Sequence, residues 1–180
     1  MAFFYNPFFW ALLSMFGLVA ACAVVGSQRI GRHAWVGWII VIVFGMGRAL
    51  LVLPFVEQSR FDLGGWHGLI GGIIFAVGLL IGLPTFDIKP VNIAEKGMEL
   101  KTSGLYGIVR NPIYLCELLW CLGWATIFRS TIGVALVPLW WAGLLFLIFI
   151  EEESLERAVG EPYRIYKQKV RGRIIPQLPI

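Results

Sequence analysis

The stretch IGVALVPLWWAGLLFLIFI, residues 132–150, runs without a break into Glu151, Glu152 and Glu153. Such an uncharged run approaches the ~20 residues that an α-helix needs to cross a hydrocarbon core. Four more apolar stretches stand upstream, over residues 8–25, 34–55, 66–83 and 113–128. The fourth is short and carries Glu117. Only Arg129, Ser130 and Thr131 separate it from the fifth, so the two are expected as antiparallel neighbours. The expected fold is an all-α integral membrane protein of about five transmembrane helices, with a C-terminal helical hairpin and a cytoplasmic amphipathic tail.

Composition supports the same reading. Of 180 residues, 58% are hydrophobic and 14% charged, too few polar groups to cover a soluble domain of that size. The net charge of +4 is clustered between apolar runs rather than spread over a solvated face, so no nucleic-acid partner is expected. A single membrane domain, 1–180, divides into a three-helix part (1–84) and a second part (85–180) holding a polar loop, the hairpin and the tail. Cys22, Cys116 and Cys121 sit within apolar runs, and His33 and His67 lack ligand-spaced neighbours. Neither a disulfide framework nor a metal site is expected. Residues 18–22 resemble a lipoprotein cleavage site, but no Lys or Arg precedes them, and the first stretch is read as a retained helix.

Lys and Arg set the expected orientation. Arg29, Arg32, the loop residues Lys89, Lys96, Lys101 and Arg110, and six in the tail make twelve on one side, against Arg60 and Arg129 on the other. The amino terminus is expected outside and the carboxyl terminus in the cytoplasm, which places both long polar segments on one face. In the third stretch, Gly64, Gly68 and Gly72, then Gly78 and Gly82, repeat at four-residue spacing, which suits close helix approach. They form no phosphate loop, and neither a Walker nor a Rossmann fingerprint occurs. In the tail, residues 151–159 are expected to prolong the fifth helix, with Gly160 as terminator. Pro162 opens a second helix with Tyr163, Tyr166 and Val170 on one face. Its basic residues suit an anionic membrane surface.

Two segments carry an excess of specific polar groups. At the start of the fourth stretch, Asn111 is placed to cap and Pro112 to begin a helix. The free N–H groups there, with Arg110, suit a carboxylate or phosphate, although a plain capped helix start would look the same. At the other segment, Glu151, Glu152 and Glu153 repel one another and oppose the helix dipole. A compensating cation or hydrogen-bond donor is expected, and Arg110 is a candidate. Together the segments suit a zwitterionic, polyhydroxylated ligand.

At these segments, over residues 100–176, the chain resembles the isoprenylcysteine carboxyl methyltransferase family and its phospholipid methyltransferase relatives. The elements are Gly104-Leu105-Tyr106, Arg110-Asn111-Pro112-Ile113-Tyr114, Glu151-Glu152, the Gly160-x-x-Tyr163-x-x-Tyr166 run, and the closing Arg173 and Pro176. The resemblance implies S-adenosylmethionine as methyl donor, bound between the third loop and the tail. Tyr106, Arg110, Asn111 and Tyr114 would hold its amino-acid end, Glu151 and Glu152 its ribose or ammonium group, and Gly104 and Tyr163 would complete the cofactor site. The implied acceptor is a lipophilic or prenylated substrate entering from the bilayer, foremost an isoprenylcysteine carboxylate. Arg110 would steer a carboxylate, of acceptor or donor. Asn111 stands where the family usually has His and cannot carry a proton at neutral pH. An Asn-Pro-x-Tyr element also resembles phospholipid N-methyltransferases.

Glu117 lies six residues past Asn111, ~9 Å deeper along a helix. A carboxylate there should face the bundle interior. Pairing with Arg48 is disfavoured by mismatched depths, so Glu117 is expected to line an acceptor cavity as a second catalytic residue. Two other readings remain. One is a nicotinamide-dependent lipid or sterol reductase, echoed by Tyr114-Leu115-Cys116-Glu117. The other is a non-catalytic membrane protein.

Overall fold

A computed structural model describes residues 2–26, 34–85 and 100–178. Arg29, Arg32, His33, Lys89 and Lys96 lie outside the described residues. Among the described residues six α-helices follow in order: α1 (Pro7–Gly26), α2 (Ala34–Leu51), α3 (His67–Gly82), α4 (Pro112–Ile127), α5 (Thr131–Val159) and α6 (Glu161–Lys169). Short 3₁₀ turns occupy Ala2–Tyr5 and Gly104–Gly107. Among the described residues there is no strand, only an isolated bridge between Arg60 and Ser130.

Local chemistry places the helix ends. Asn6 Oδ1 takes the Phe8 N–H at 2.9 Å, and Ser130 Oγ takes the Gly133 N–H at 2.9 Å, so each satisfies a donor that a helix start leaves open. α2 stops at Leu51, four residues before its apolar run ends, because Pro54 cannot donate an N–H to continue the ladder. Arg60 then gathers the exposed carbonyls. Its Nη1 donates to Val52 O (2.6 Å) and Phe128 O (2.7 Å), and its Nη2 to Leu53 O (2.7 Å) and Val56 O (3.1 Å). One guanidinium thus ties the end of α2 to the end of α4. α5 runs on past Ile150 to Val159, where Gly160, at φ 73° and ψ −134°, adopts a conformation that only glycine takes without strain.

α3 and α4 touch backbone to backbone. A Cβ on Gly71 would lie 2.6 Å from Ile127 N, and one on Gly123 would lie 2.5 Å from Phe75 N. The packing face runs through Gly71 and Gly78, seven apart; of the expected glycines Gly78 lies on it and Gly82 is buried, but Gly64, Gly68 and Gly72 take no part. Gly64 precedes the helix, and Gly68 and Gly72 meet open space. The first four-residue set was the wrong register, because residues seven apart return closer to one helical face. On the other side of the bundle α1 packs against α2, where Gly17 and Gly47 leave no room for a Cβ, and against α5. There Trp140 donates its indole N–H to Ser14 Oγ at 3.1 Å.

Among the described residues two helices, over residues 7–25 and 131–159, are long and apolar enough to cross a membrane. α3 and α4 are shorter apolar helices of 16 residues each, ~24 Å long. On α1 the residues Phe8, Leu12, Phe16 and Val19 form an exposed apolar stripe, each at least 66% accessible. Such a stripe is unfavourable in water and matches a lipid surround, as does the apolar length of α1 and α5.

Candidate functional site at the hairpin mouth

The hairpin of α4 and α5 brings the two polar segments together at one end. Arg110 Nε donates to Glu152 Oε1 at 2.8 Å and Nη2 to Glu152 Oε2 at 3.2 Å. Its Nη1 donates to the Val170 and Arg171 carbonyls at 2.7 and 2.8 Å. Backbone bonds fasten the same place, from Arg110 N to Gly172 O (2.9 Å) and from Asn111 N to Arg173 O (2.8 Å). The tail therefore folds over the start of α4. Asn111 occupies the cap position but makes no side-chain cap; its Nδ2 donates instead to Glu152 Oε1 at 3.0 Å. The expected capping is displaced because a buried carboxylate attracts a donor more strongly than a backbone N–H attracts an acceptor.

Glu152 is the hub. Arg173 Nε adds a further bond to Oε2 at 3.0 Å, and only 2% of the residue is exposed. Glu152 lies past the apolar run that ends at Ile150. Burial alone would raise its carboxyl, but the hydrogen bonds from Arg110 and Arg173 outweigh it and hold the group below its ordinary value. The compensation expected for the three carboxylates is complete. Glu151 Oε2 accepts the Tyr114 hydroxyl at 2.6 Å, and Glu153 meets Arg157 one turn on at 2.7 Å. One turn beyond Glu152, Glu156 binds Lys167 at 2.8 Å and Arg164 at 3.1 Å.

α6 turns its apolar face inward rather than toward lipid. Tyr163, Tyr166 and Val170 are buried against Leu100, Leu155 and Val159. The Tyr166 hydroxyl donates to the Tyr106 carbonyl at 2.7 Å, tying α6 to the Gly104–Gly107 turn, and burial pushes that hydroxyl up to about 12. Gly104 supplies the positive φ (61°) of the turn. Tyr163, expected to contact a cofactor, is 2% exposed and packs on Tyr166 at 5.9 Å between ring centroids.

Deeper in the bundle, Arg48 and Glu117 form an ion pair at 2.6 Å. This overturns the expectation that mismatched depths disfavour their pairing. Sequence reasoning also missed Arg173 as a partner of Glu152. The available signal was charge arithmetic, because three successive carboxylates demand more than one cation.

Between α5, α6 and Arg173 lies an open groove of about 510 Å³. Phe146, Phe149 and Ile150 form one end; Glu152, Glu153, Glu156, Lys167 and Arg173 form the other. The Arg173 guanidinium rests 4.0 Å above the Phe149 ring. Among the described residues no cluster of His, Cys, Asp and Glu has the form of a metal site.

A family model described as phospholipid methyltransferase matches residues 66–161, from the threshold of α3 to the start of α6. No curated protein matches the chain, and no solved structure does.

Proposed function

The chain belongs to the phospholipid methyltransferase family, and from that premise we propose that it transfers a methyl group from S-adenosylmethionine to a lipid amine at the membrane surface. The groove beside α5 carries the reading. Its apolar end suits lipid chains, and its carboxylates Glu153 and Glu156, held only in more exposed pairs with Arg157, Arg164 and Lys167, are those that a cationic head group would meet. Arg110, the residue suited to steer an acceptor carboxylate, is already committed to Glu152 and two carbonyls. A carboxylate acceptor would have to break that set, whereas an amine need not.

The site's carboxylates also fit the sulfonium and ammonium charges of the donor. Glu151 with Tyr114, the Gly104–Tyr106 turn, and Asn111 would hold it, with Arg110 and Glu152 as the frame. When bound, the donor supplies an electrophilic methyl for in-line displacement. The chain's part is to align donor and acceptor and to exclude water. A protonated amine must also shed its proton before attack, and Glu151 and Glu153 are the acceptors the chain offers for it. Five crossings by α1 to α5, with the carboxyl terminus cytoplasmic, would set this mouth at the inner surface.

A second reading is an isoprenylcysteine carboxylate acceptor, favoured by Lys167 and Arg173 beside Phe149. The deciding experiment supplies radiolabelled S-adenosylmethionine to the protein in nanodiscs with phosphatidylethanolamine or N-acetyl-S-farnesylcysteine. Label in the phospholipid is the expected result. Base-labile label in the farnesyl compound selects the carboxylate. A folded sample that binds S-adenosylhomocysteine yet labels neither sinks both acceptors. One that binds a nicotinamide cofactor instead revives the reductase alternative.

A further inference from the structure

Arg48 lies in α2, outside the matched residues 66–161, and only 4% of it is exposed. A charge within an apolar bundle is costly, and residues of this kind ordinarily serve a site. Every nitrogen of the guanidinium is used. Nε donates to the Phe44 carbonyl (3.3 Å), Nη1 to Cys121 Sγ (3.0 Å) and Nη2 to Glu117 Oε2 (2.6 Å). The group also lies 3.6 Å from the centre of the Phe44 ring and 5.0 Å from that of Trp120.

Three of these partners, Glu117, Trp120 and Cys121, share one face of α4, spaced three and four residues apart. Held at three points by one rigid fork, α4 cannot turn freely about its axis. One turn from Glu117 toward the amino end is Tyr114, bonded to Glu151, and the next turn is Asn111, bonded to Glu152. A rotation of about 20° would carry a side-chain tip about 5 Å from the axis through about 2 Å. Both bonds would break, because neither tolerates such a displacement.

We propose that Arg48 is a positioning residue for the methyl-donor site, acting through α4. The inference rests on the donor reading above. It also makes the N-terminal helical pair part of the working unit, although the family match does not reach it.

The experiment compares wild-type protein with Arg48→Lys, Arg48→Met and the double variant Arg48→Met/Glu117→Met in detergent. Thermal unfolding and calorimetric binding of S-adenosylhomocysteine are measured on each. Arg48→Met strands Glu117 and should lower Tm, whereas the double variant removes both charges and should recover it. If Arg48 positions α4, the recovered double variant still binds S-adenosylhomocysteine roughly tenfold more weakly than wild type. Arg48→Lys keeps the charge but not the fork, and should fall between the two. Wild-type affinity in the stable double variant overturns the inference and leaves the donor reading intact. Should the double variant not fold, the same comparison is made on Arg48→Lys, where wild-type affinity overturns it equally. Failure of folded wild-type protein to bind S-adenosylhomocysteine removes the donor site, and the positioning role with it.

Discussion

Glu152 receives hydrogen bonds from Arg110, Asn111 and Arg173, so two separate stretches of chain converge on one carboxylate. Arg110→Ala would leave it buried with its strongest partner gone, at a cost of about 3–5 kcal/mol in unfolding free energy. Its pH dependence has a definite sign. The folded-state value lies below the ordinary 4.5, so the stabilisation is complete above that value and is lost as pH falls through the depressed one. Melting curves of wild-type protein should therefore decline only under acid conditions, below the ordinary carboxyl value of 4.5. Glu152→Gln should melt lower at neutral pH and lose that acid-dependent step; an unchanged acid profile would remove Glu152 as its source. The meeting of Arg110 with the carboxylates was legible, because a hairpin with so short a connection brings both segments to one end. Arg173 was not, since its approach depends on a tail whose path is set by backbone bonds to Arg110 and Asn111. Asn111 misled for a related reason: cap propensity is local, and the competing carboxylate comes from a distant helix.

At the scale of elements, hydropathy located α1, α3, α4 and α5 to within a few residues, because apolar runs and helix lengths coincide in a lipid-facing bundle. The end of α2 was misplaced because hydropathy does not register the missing N–H of Pro54. The prolongation of α5 and its break at Gly160 were readable from a glycine followed closely by proline. Which glycines face a neighbour was not, because every small residue in an apolar helix offers the same composition and only packing distinguishes the faces. That difference can be measured. Gly123→Ala places a methyl 2.5 Å from the backbone of α3, and separation of the helices should cost about 1–3 kcal/mol. Gly68→Ala meets open space and should stay within about 0.5 kcal/mol of wild type. Equal melting temperatures for the two variants would contradict the backbone contact.

Across the whole molecule, the family-matched helices and the N-terminal pair are joined at two levels. Arg60 binds the ends of α2 and α4 at one end of the bundle, and Arg48 binds their middle. The sequence announced a membrane protein through its apolar runs. It left these two clamps hidden, because a lone arginine beside or within an apolar run carries no mark of its partner. α5 adds a consequence of its own. It is a continuous rod of 29 residues, ~43 Å long, whose apolar part is shorter than its length and whose far end carries Glu151, Glu152 and Glu153. In a bilayer thinner than its apolar segment such a rod leans, and in a thicker one it stands upright or draws lipid inward. Either adjustment would raise or lower the carboxylates relative to the plane of the head groups. Methyl transfer should then respond to acyl-chain length, with a maximum at one thickness when the protein is assayed in nanodiscs of graded chain length. A flat response would mean that the mouth of the hairpin moves with the surrounding lipid, and a peaked one that the enzyme gauges the thickness of its own solvent.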